Sequence, residues 1–309
     1  YHFWVKHAMF FYILAMVMIV LVMTPLGYSA YGARRWISIG PISIQPAEYA
    51  KLALIFACTA VVEKMGKSAR KFRAIFMHVV LGGILAGMIF LITNNLSSAI
   101  IIFGISVVIG FVMYPKYNIY IIGVTAIGAL VVAVRQWAIN AQLSDNANFR
   151  FERILAWVNP EKFADDTGFQ TVQALYAIGS GGLFGKGLGK SLQKLGFIPE
   201  AQNDMIFSVI CEELGLFGAL CVLIVFGLML WRFVYIATNS PDLTGCLLVV
   251  GVFAHIAIQV ILNVAVVTNL IPNTGISLPF ISYGGTSVLF LMAEMGIVLN
   301  VSSRIRMEV

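Results

Sequence analysis

Eight apolar runs, each close to the length of a bilayer-spanning helix, alternate with polar stretches along this chain: 6–25, 46–63, 74–93, 96–114, 118–136, 205–232, 243–269 and 284–302. The hydrocarbon core of a membrane is about 30 Å thick and takes about 20 helical residues to cross. The pattern predicts an all-α polytopic membrane protein with about eight transmembrane helices, organised as a single membrane domain over 1–309. Residues 137–204 break the rhythm, and a segment that long is no plain connector. The short loops set the orientation. Lys64, Lys67, Arg70, Lys71 and Arg73 sit together between the second and third runs. Lys116, Arg232, Lys6, Arg304 and Arg306 fall on that same side, against Arg34 and Arg35 in the opposite short loops. By the positive-inside rule, 64–73 is cytoplasmic and 137–204 is a large extracytoplasmic loop.

Composition agrees. The chain is 60% hydrophobic, 11% charged, and has a mean hydropathy of +0.92, where soluble domains carry about 25% charged residues. A net charge of +6, divided among short loops, fits membrane orientation and anionic lipid and excludes a nucleic-acid partner. Cys58, Cys211, Cys221 and Cys246 all lie inside apolar runs with no metal-ligand spacing, so neither a zinc site nor a disulfide framework is expected. Of the histidines, only His255 lies deep in a span, where a helix–helix hydrogen bond accounts for it. The chain begins at Tyr1 with no signal peptide in view, and further residues are expected before it.

The stretch GSGGLFGKGLGKS at 179–191 looks like a phosphate loop, but its spacing fails. A GxxxxGK[ST] loop ending on Gly189, Lys190 and Ser191 needs glycine where Phe184 stands. One ending on Gly185 and Lys186 needs it at Ser180, and Gly187 follows in place of Ser or Thr. The segment also lies outside the cytoplasm, where ATP is scarce. Lys186, Lys190 and Lys194 recur every four residues, a basic stripe if helical. A solvated face and a pyrophosphate-lipid site both account for it, and the glycines argue against a regular helix.

Ionisable groups inside a membrane cost at least about 2.5–3.5 kcal/mol each, so those within spans are functional candidates. Glu48 stands just inside a helix expected to start at Pro46, and Lys51 follows on the same face. The two read equally as an internal ion pair and as the polar lining of a cavity. Asp204 precedes the sixth run at the outer boundary, where it serves either as a helix cap or as a general base. Glu212, Glu213 and Glu294 lie deeper and need partners. Arg150 and Arg153 share a face in the long loop.

The blocks GARRWISIG (32–40), QPAEYAKL (45–52), the run 168–204, EELGLFG (212–218) and LPFISYGGTS (278–287) resemble the SEDS family of peptidoglycan polymerases. The C-terminal run is more similar to the cell-division FtsW branch or its sporulation relative than to the elongation member RodA. The resemblance implies a ten-helix fold of which this chain holds the third to tenth, the first two lying before Tyr1. It implies a glycosyltransferase that joins lipid II units at the outer face of the bacterial cytoplasmic membrane, with inversion and release of undecaprenyl pyrophosphate. A class B penicillin-binding protein and other divisome membrane proteins are the implied partners, and the division septum is the implied place of work.

By the same resemblance, Asp204 is the catalytic base, Glu48 and Lys51 line the central cavity, and Arg34 and Arg35 contact pyrophosphate. Arg150, Arg153, Gln170, Lys194 and Glu200 match the large loop as substrate-binding candidates, and the glycine stretch itself makes Lys186 and Lys190 available to an anion. No metal cage is visible, so a divalent cation (Mg or Mn) would arrive on the pyrophosphate. The chain departs from the family at Asn95, which stands where an aspartate is usual, and at Asn203 and Met205 around Asp204. Asn159 stands before Pro160 where aspartate is frequent. Two rival functions remain from the sequence: a lipid II flippase, and a non-catalytic scaffold recruiting the penicillin-binding protein.

Overall fold

The computed structural model describes residues 1–30, 33–40, 42–114, 116–140, 149–165, 168–193 and 201–305. Its helices are α1 (His2–Lys6), α2 (Ala8–Leu21), α3 (Pro46–Met65), α4 (Phe72–Thr93), α5 (Leu96–Met113), α6 (Tyr117–Asn140), α7 (Phe149–Val158), α8 (Phe169–Gly181), α9 (Ile206–Thr238), α10 (Leu243–Val267) and α11 (Gly285–Ser302). Every apolar run became a helix. Six of them, α4, α5, α6, α9, α10 and α11, are long and apolar enough to cross a membrane. Two runs deviate. The first is split at His7 and stops at Leu21, leaving 14 residues in α2. The second, α3, carries Glu48, Lys51, Glu63 and Lys64 within its 20 residues.

The chain divides into two compact units. One comprises 1–115, 226–259 and 284–309; the other comprises 116–225 and 260–283. In the first unit α3 is the hub, packing against α2, α4, α5 and α11. It is buried almost continuously from Pro46 to Thr59, as expected of a helix without a lipid-facing side. The loop before it forms a sheet that the helical pattern did not predict: β1 (Gly27–Ala30), β2 (Ala33–Ile39) and β3 (Ile42–Ile44), antiparallel in the order β1-β2-β3. Ile37 faces Ile44 and Ser38 faces Ser43 across the β2–β3 pair. The alternation ISI-GP-ISI was the sequence signal for this hairpin.

The asparagines at 94 and 95 have a local task. Asn94 ends α4 in the left-handed region, and the Asn95 side chain caps α5 by accepting from the Ser98 N–H at 3.1 Å. Asp242 caps α10 in the same manner, accepting from the Gly245 N–H at 2.6 Å.

The second unit resolves much of the long loop into α7 and α8, followed by a glycine-rich turn that folds back on α9. Helix α9 is broken at Gly215 (φ 70, ψ −171). The break frees backbone groups, and the turn takes them up. Lys186 and Gly187 N–H donate to the carbonyls of Glu212 and Glu213 at 2.9 Å each. Leu216 and Phe217 N–H donate to Gly182 and Leu183 at 2.9 and 3.1 Å. The two chains approach so closely that a Cβ on Gly215 would overlap the Leu183 carbonyl, and one on Gly185 would overlap that of Glu213. Gly215→Ala should therefore lower the apparent Tm of detergent-solubilised protein by the equivalent of about 2–4 kcal/mol, combining left-handed strain with overpacking. Gly227→Ala, whose Cβ meets nothing within 4 Å, should be nearly neutral. Equal effects would sink this account of the break.

Candidate active site

In the second unit the polar side chains of three helices and one loop converge on Asp204, two residues before the start of α9. Gln170, in the first turn of α8, donates from Nε2 to Asp204 Oδ1 at 3.3 Å. Its own Oε1 accepts from Asn273 Nδ2 at 2.8 Å, so the carboxamide is oriented from both ends. Asn263 on α10 donates to the backbone carbonyls of Asp204 at 2.9 Å and Ile276 at 2.6 Å. Ser282 donates to the Asn203 carbonyl at 2.5 Å, and the Tyr283 N–H donates to Gln202 at 2.8 Å. The segment 269–283 thus clamps the backbone carrying the aspartate. Gly275, at φ +63, brings its backbone so close that an added Cβ would lie 3.4 Å from Asp204 Oδ2.

Arg153 completes the charge pattern. Its helix is fastened by a reciprocal pair: Trp157 Nε1 donates to the Asn269 carbonyl at 3.1 Å, and Asn269 Nδ2 to the Trp157 carbonyl at 3.2 Å. Burial pushes the Arg153 guanidinium below its usual range, and attraction to the Asp204 carboxylate opposes that shift. The result is a partly exposed carboxylate facing a guanidinium and a fixed amide donor, able to take a proton beside an anion-binding group.

The glycine stretch does different work. The buried Glu212 carboxylate accepts from Lys186 Nζ at 2.8 Å, Ser191 Oγ at 2.5 Å and the N–H groups of Leu192 and Gln193 at 3.3 Å. Glu213 accepts from the N–H groups of Gly189 and Ser191 at 3.0 and 3.4 Å. Lys186 is therefore engaged with a protein carboxylate while its side chain stays one third exposed (33%). Lys190 is exposed. Among the described residues Lys186 and Lys190 do not share a helical face, because Gly187 and Gly189 between them take positive φ.

In the first unit Glu48 and Lys51 do form the expected ion pair, at 2.8 Å and fully buried. It continues: Ser287 Oγ donates to Glu48 Oε2 at 3.3 Å, and Lys51 Nζ donates to Gln259 Oε1 at 3.1 Å. His255 lies 2.8 Å from the same Gln259 oxygen and 2.8 Å from Glu294, the partner that the sequence left unnamed. Arg34 is exposed on β2 opposite Ser29, and Arg35 Nη2 donates to the Asn94 carbonyl at 3.4 Å. Lys194 and Glu200 lie outside the described residues, as does the Arg150 side chain, although its backbone belongs to α7. Among the described residues no cluster of three or more His, Cys, Asp or Glu side chains could hold a metal ion.

A family model described as "Cell cycle protein", covering FtsW, RodA and SpoVE, matches residues 1–307. The chain belongs to the FtsW/RodA/SpoVE family. It is 38% identical to stage V sporulation protein E of Bacillus subtilis, over 92% of this chain and 76% of that one. It is 34% identical to a probable peptidoglycan glycosyltransferase FtsW of Geobacter sp. strain M18, over 99% and 81% of the two chains. Among solved structures, a chain from work described as the structural coordination of polymerization and crosslinking by a peptidoglycan synthase complex superposes with a TM-score of 0.78. It is 27% identical, with 98% of this chain and 83% of that one covered. The crystal structure of the Thermus thermophilus rod shape determining protein RodA gives a TM-score of 0.64 at 26% identity, over 98% and 80%.

For this family member, reading the sequence charge by charge passed over Asn263, Asn273, Gln259 and Ser287, which are neutral. Gln259 and Asn263 were open to the logic applied to the carboxylates, since both interrupt the run 243–269. Asn273 had no local signal beyond its Pro-Asn turn. The two lysines of the glycine stretch should now part. Lys186→Met removes a donor from buried Glu212 and should cost about 1–3 kcal/mol in thermal unfolding in detergent. Lys190→Met should stay within about 0.5 kcal/mol of wild type. Identical melting of the two variants would refute the separate roles.

Proposed function

We propose that this multi-pass membrane protein is a peptidoglycan glycosyltransferase that polymerises lipid II, with Asp204 as general base. The carrying observation is the Asp204 carboxylate, partly exposed at the head of a spanning helix, hydrogen-bonded by Gln170 and paired electrostatically with Arg153. A carboxylate so placed takes the proton from the acceptor sugar hydroxyl as its oxygen attacks the donor anomeric carbon. The bond to undecaprenyl pyrophosphate breaks on the opposite face, and the configuration inverts. Arg153 stabilises the negative charge gathering on the leaving group, and Gln170 fixes the carboxylate orientation so that one oxygen stays directed at the hydroxyl.

The remaining site residues are assigned by chemistry. In the second unit exposed Lys190 serves the anionic head of lipid II, with Arg150, Lys194 and Glu200 as further loop contacts; in the first unit Arg34 and Arg35, both on β2, are the candidates for pyrophosphate. Glu48 and Lys51 match the polar pair of the family's central cavity and form the buried ion pair of the first unit. A divalent cation, where one takes part, enters with the pyrophosphate. The same reading places the protein in the bacterial cytoplasmic membrane with its site outside, at the septum. It gives the protein a class B penicillin-binding protein and other divisome proteins as partners.

The test uses the full-length protein with its partner in bilayers, supplied with lipid II. Asp204→Asn retains the size of the side chain and its bond with Gln170, yet should slow glycan polymerisation by at least about 100-fold. Folded Asp204→Asn protein polymerising at the wild-type rate would overturn the assignment.

A further inference from the structure

The hydrogen-bond partners along the buried chain in the first unit fix where its protons lie. Lys51, on α3, is 1% exposed and has only N–H groups to offer. Its Nζ lies 3.1 Å from one terminal atom of the Gln259 carboxamide, so that atom is the oxygen; the amide NH2 there would set donor against donor. The Nε2 of His255 approaches the same oxygen at 2.8 Å. An amide oxygen only accepts, so Nε2 carries a hydrogen.

The other ring nitrogen, Nδ1, stands 2.8 and 3.0 Å from the two carboxylate oxygens of Glu294. Approach to both oxygens at nearly equal distance fits one N–H shared between them, whereas an acid O–H donated to the ring would draw in one oxygen alone. Both groups are buried, His255 at 1% and Glu294 at 0% exposure. A bare carboxylate beside a neutral ring would carry an uncompensated charge in a dry interior.

We infer that His255 is held as an imidazolium by Glu294 and that this second ion pair positions Lys51 through the shared Gln259 oxygen. The charges facing the ring are Glu48 and Lys51 of α3 and Glu294 of α11. Each anion has its cation, so the whole chain from Ser287 to Glu294 is electrically neutral and every link is a donor meeting an acceptor. Gln259 is the joint. Its oxygen receives Lys51 from one side and His255 from the other, so loss of the second donor removes one of the contacts that orient the carboxamide toward the ammonium. His255 and Glu294 thereby act as positioning residues for the Glu48–Lys51 pair. That functional half rests on the polymerase reading; the protonation half does not.

The two halves are tested separately. Histidine-selective ¹⁵N NMR of the full-length protein in bilayers, with the His255 signal assigned by its loss in His255→Asn, should show hydrogens on both ring nitrogens at neutral pH. Glu294→Gln should remove the hydrogen from Nδ1. A wild-type ring bare at either nitrogen, or one unchanged by Glu294→Gln, overturns the inference whatever the enzyme does. In lipid II polymerisation, His255→Asn and Glu294→Gln should each lower the rate at least about fivefold, the size of coupling within one polar network. Gln259→Glu, which keeps an acceptor for both cations, should retain more activity than Gln259→Leu. Equal loss in those two variants overturns the positioning role. A wild-type protein that makes no glycan at all would count against the polymerase reading and leave the ring protonation standing.

Discussion

Inside a bilayer there is no water to take up a stray hydrogen-bonding group, so every buried polar atom must find its partner within the protein. The constraint explains the two features of this chain that a purely apolar membrane protein would lack. Helix α9 breaks at Gly215 within a segment otherwise able to span the membrane, and the glycine-rich turn supplies the donors and acceptors that the break exposes. Helix α3 carries a carboxylate and an ammonium on its buried face, and α10 and α11 supply the groups that complete them. In both places the polar groups are numerous but closed on one another.

The candidate active site differs because it is left open. Asp204 has its backbone fastened by Asn263 and flanked by Ser282 on Asn203, while its carboxylate remains partly exposed. Rigid backbone with an accessible charge is what a general base requires: the position is held by groups that are not consumed. The Trp157–Asn269 clasp extends the same logic to Arg153, a long side chain on a short helix that would otherwise have few constraints.

Much of this was legible from residues taken singly. Glu48 and Lys51 lie three apart on one helix, so their pairing follows from helical geometry alone. Asp204 drew notice as the last acidic residue before an apolar helix, at the outer boundary of the membrane. Lys186 illustrates where such reading ends. Its spacing matched Lys190, yet one lysine is tied to Glu212 and the other is exposed, because the intervening glycines turn the backbone left-handed and send the two side chains apart. The three-stranded sheet went unpredicted for a related reason. Its alternation is only a few residues long and was outweighed by the long apolar runs around it.

The sequence alone determined that the chain crosses a membrane and roughly where each helix lies, because these depend on composition and on the cost of burying charge. Tertiary structure decided the partners. His255 and Glu294 are 39 residues apart, and Gln170 and Asn273 are 103 apart. No local pattern links them, since hydrogen bonds between helices depend on how the helices cross and turn. Whether a buried charge is a structural tie or an open functional group is settled only when that geometry has supplied, or withheld, its partners.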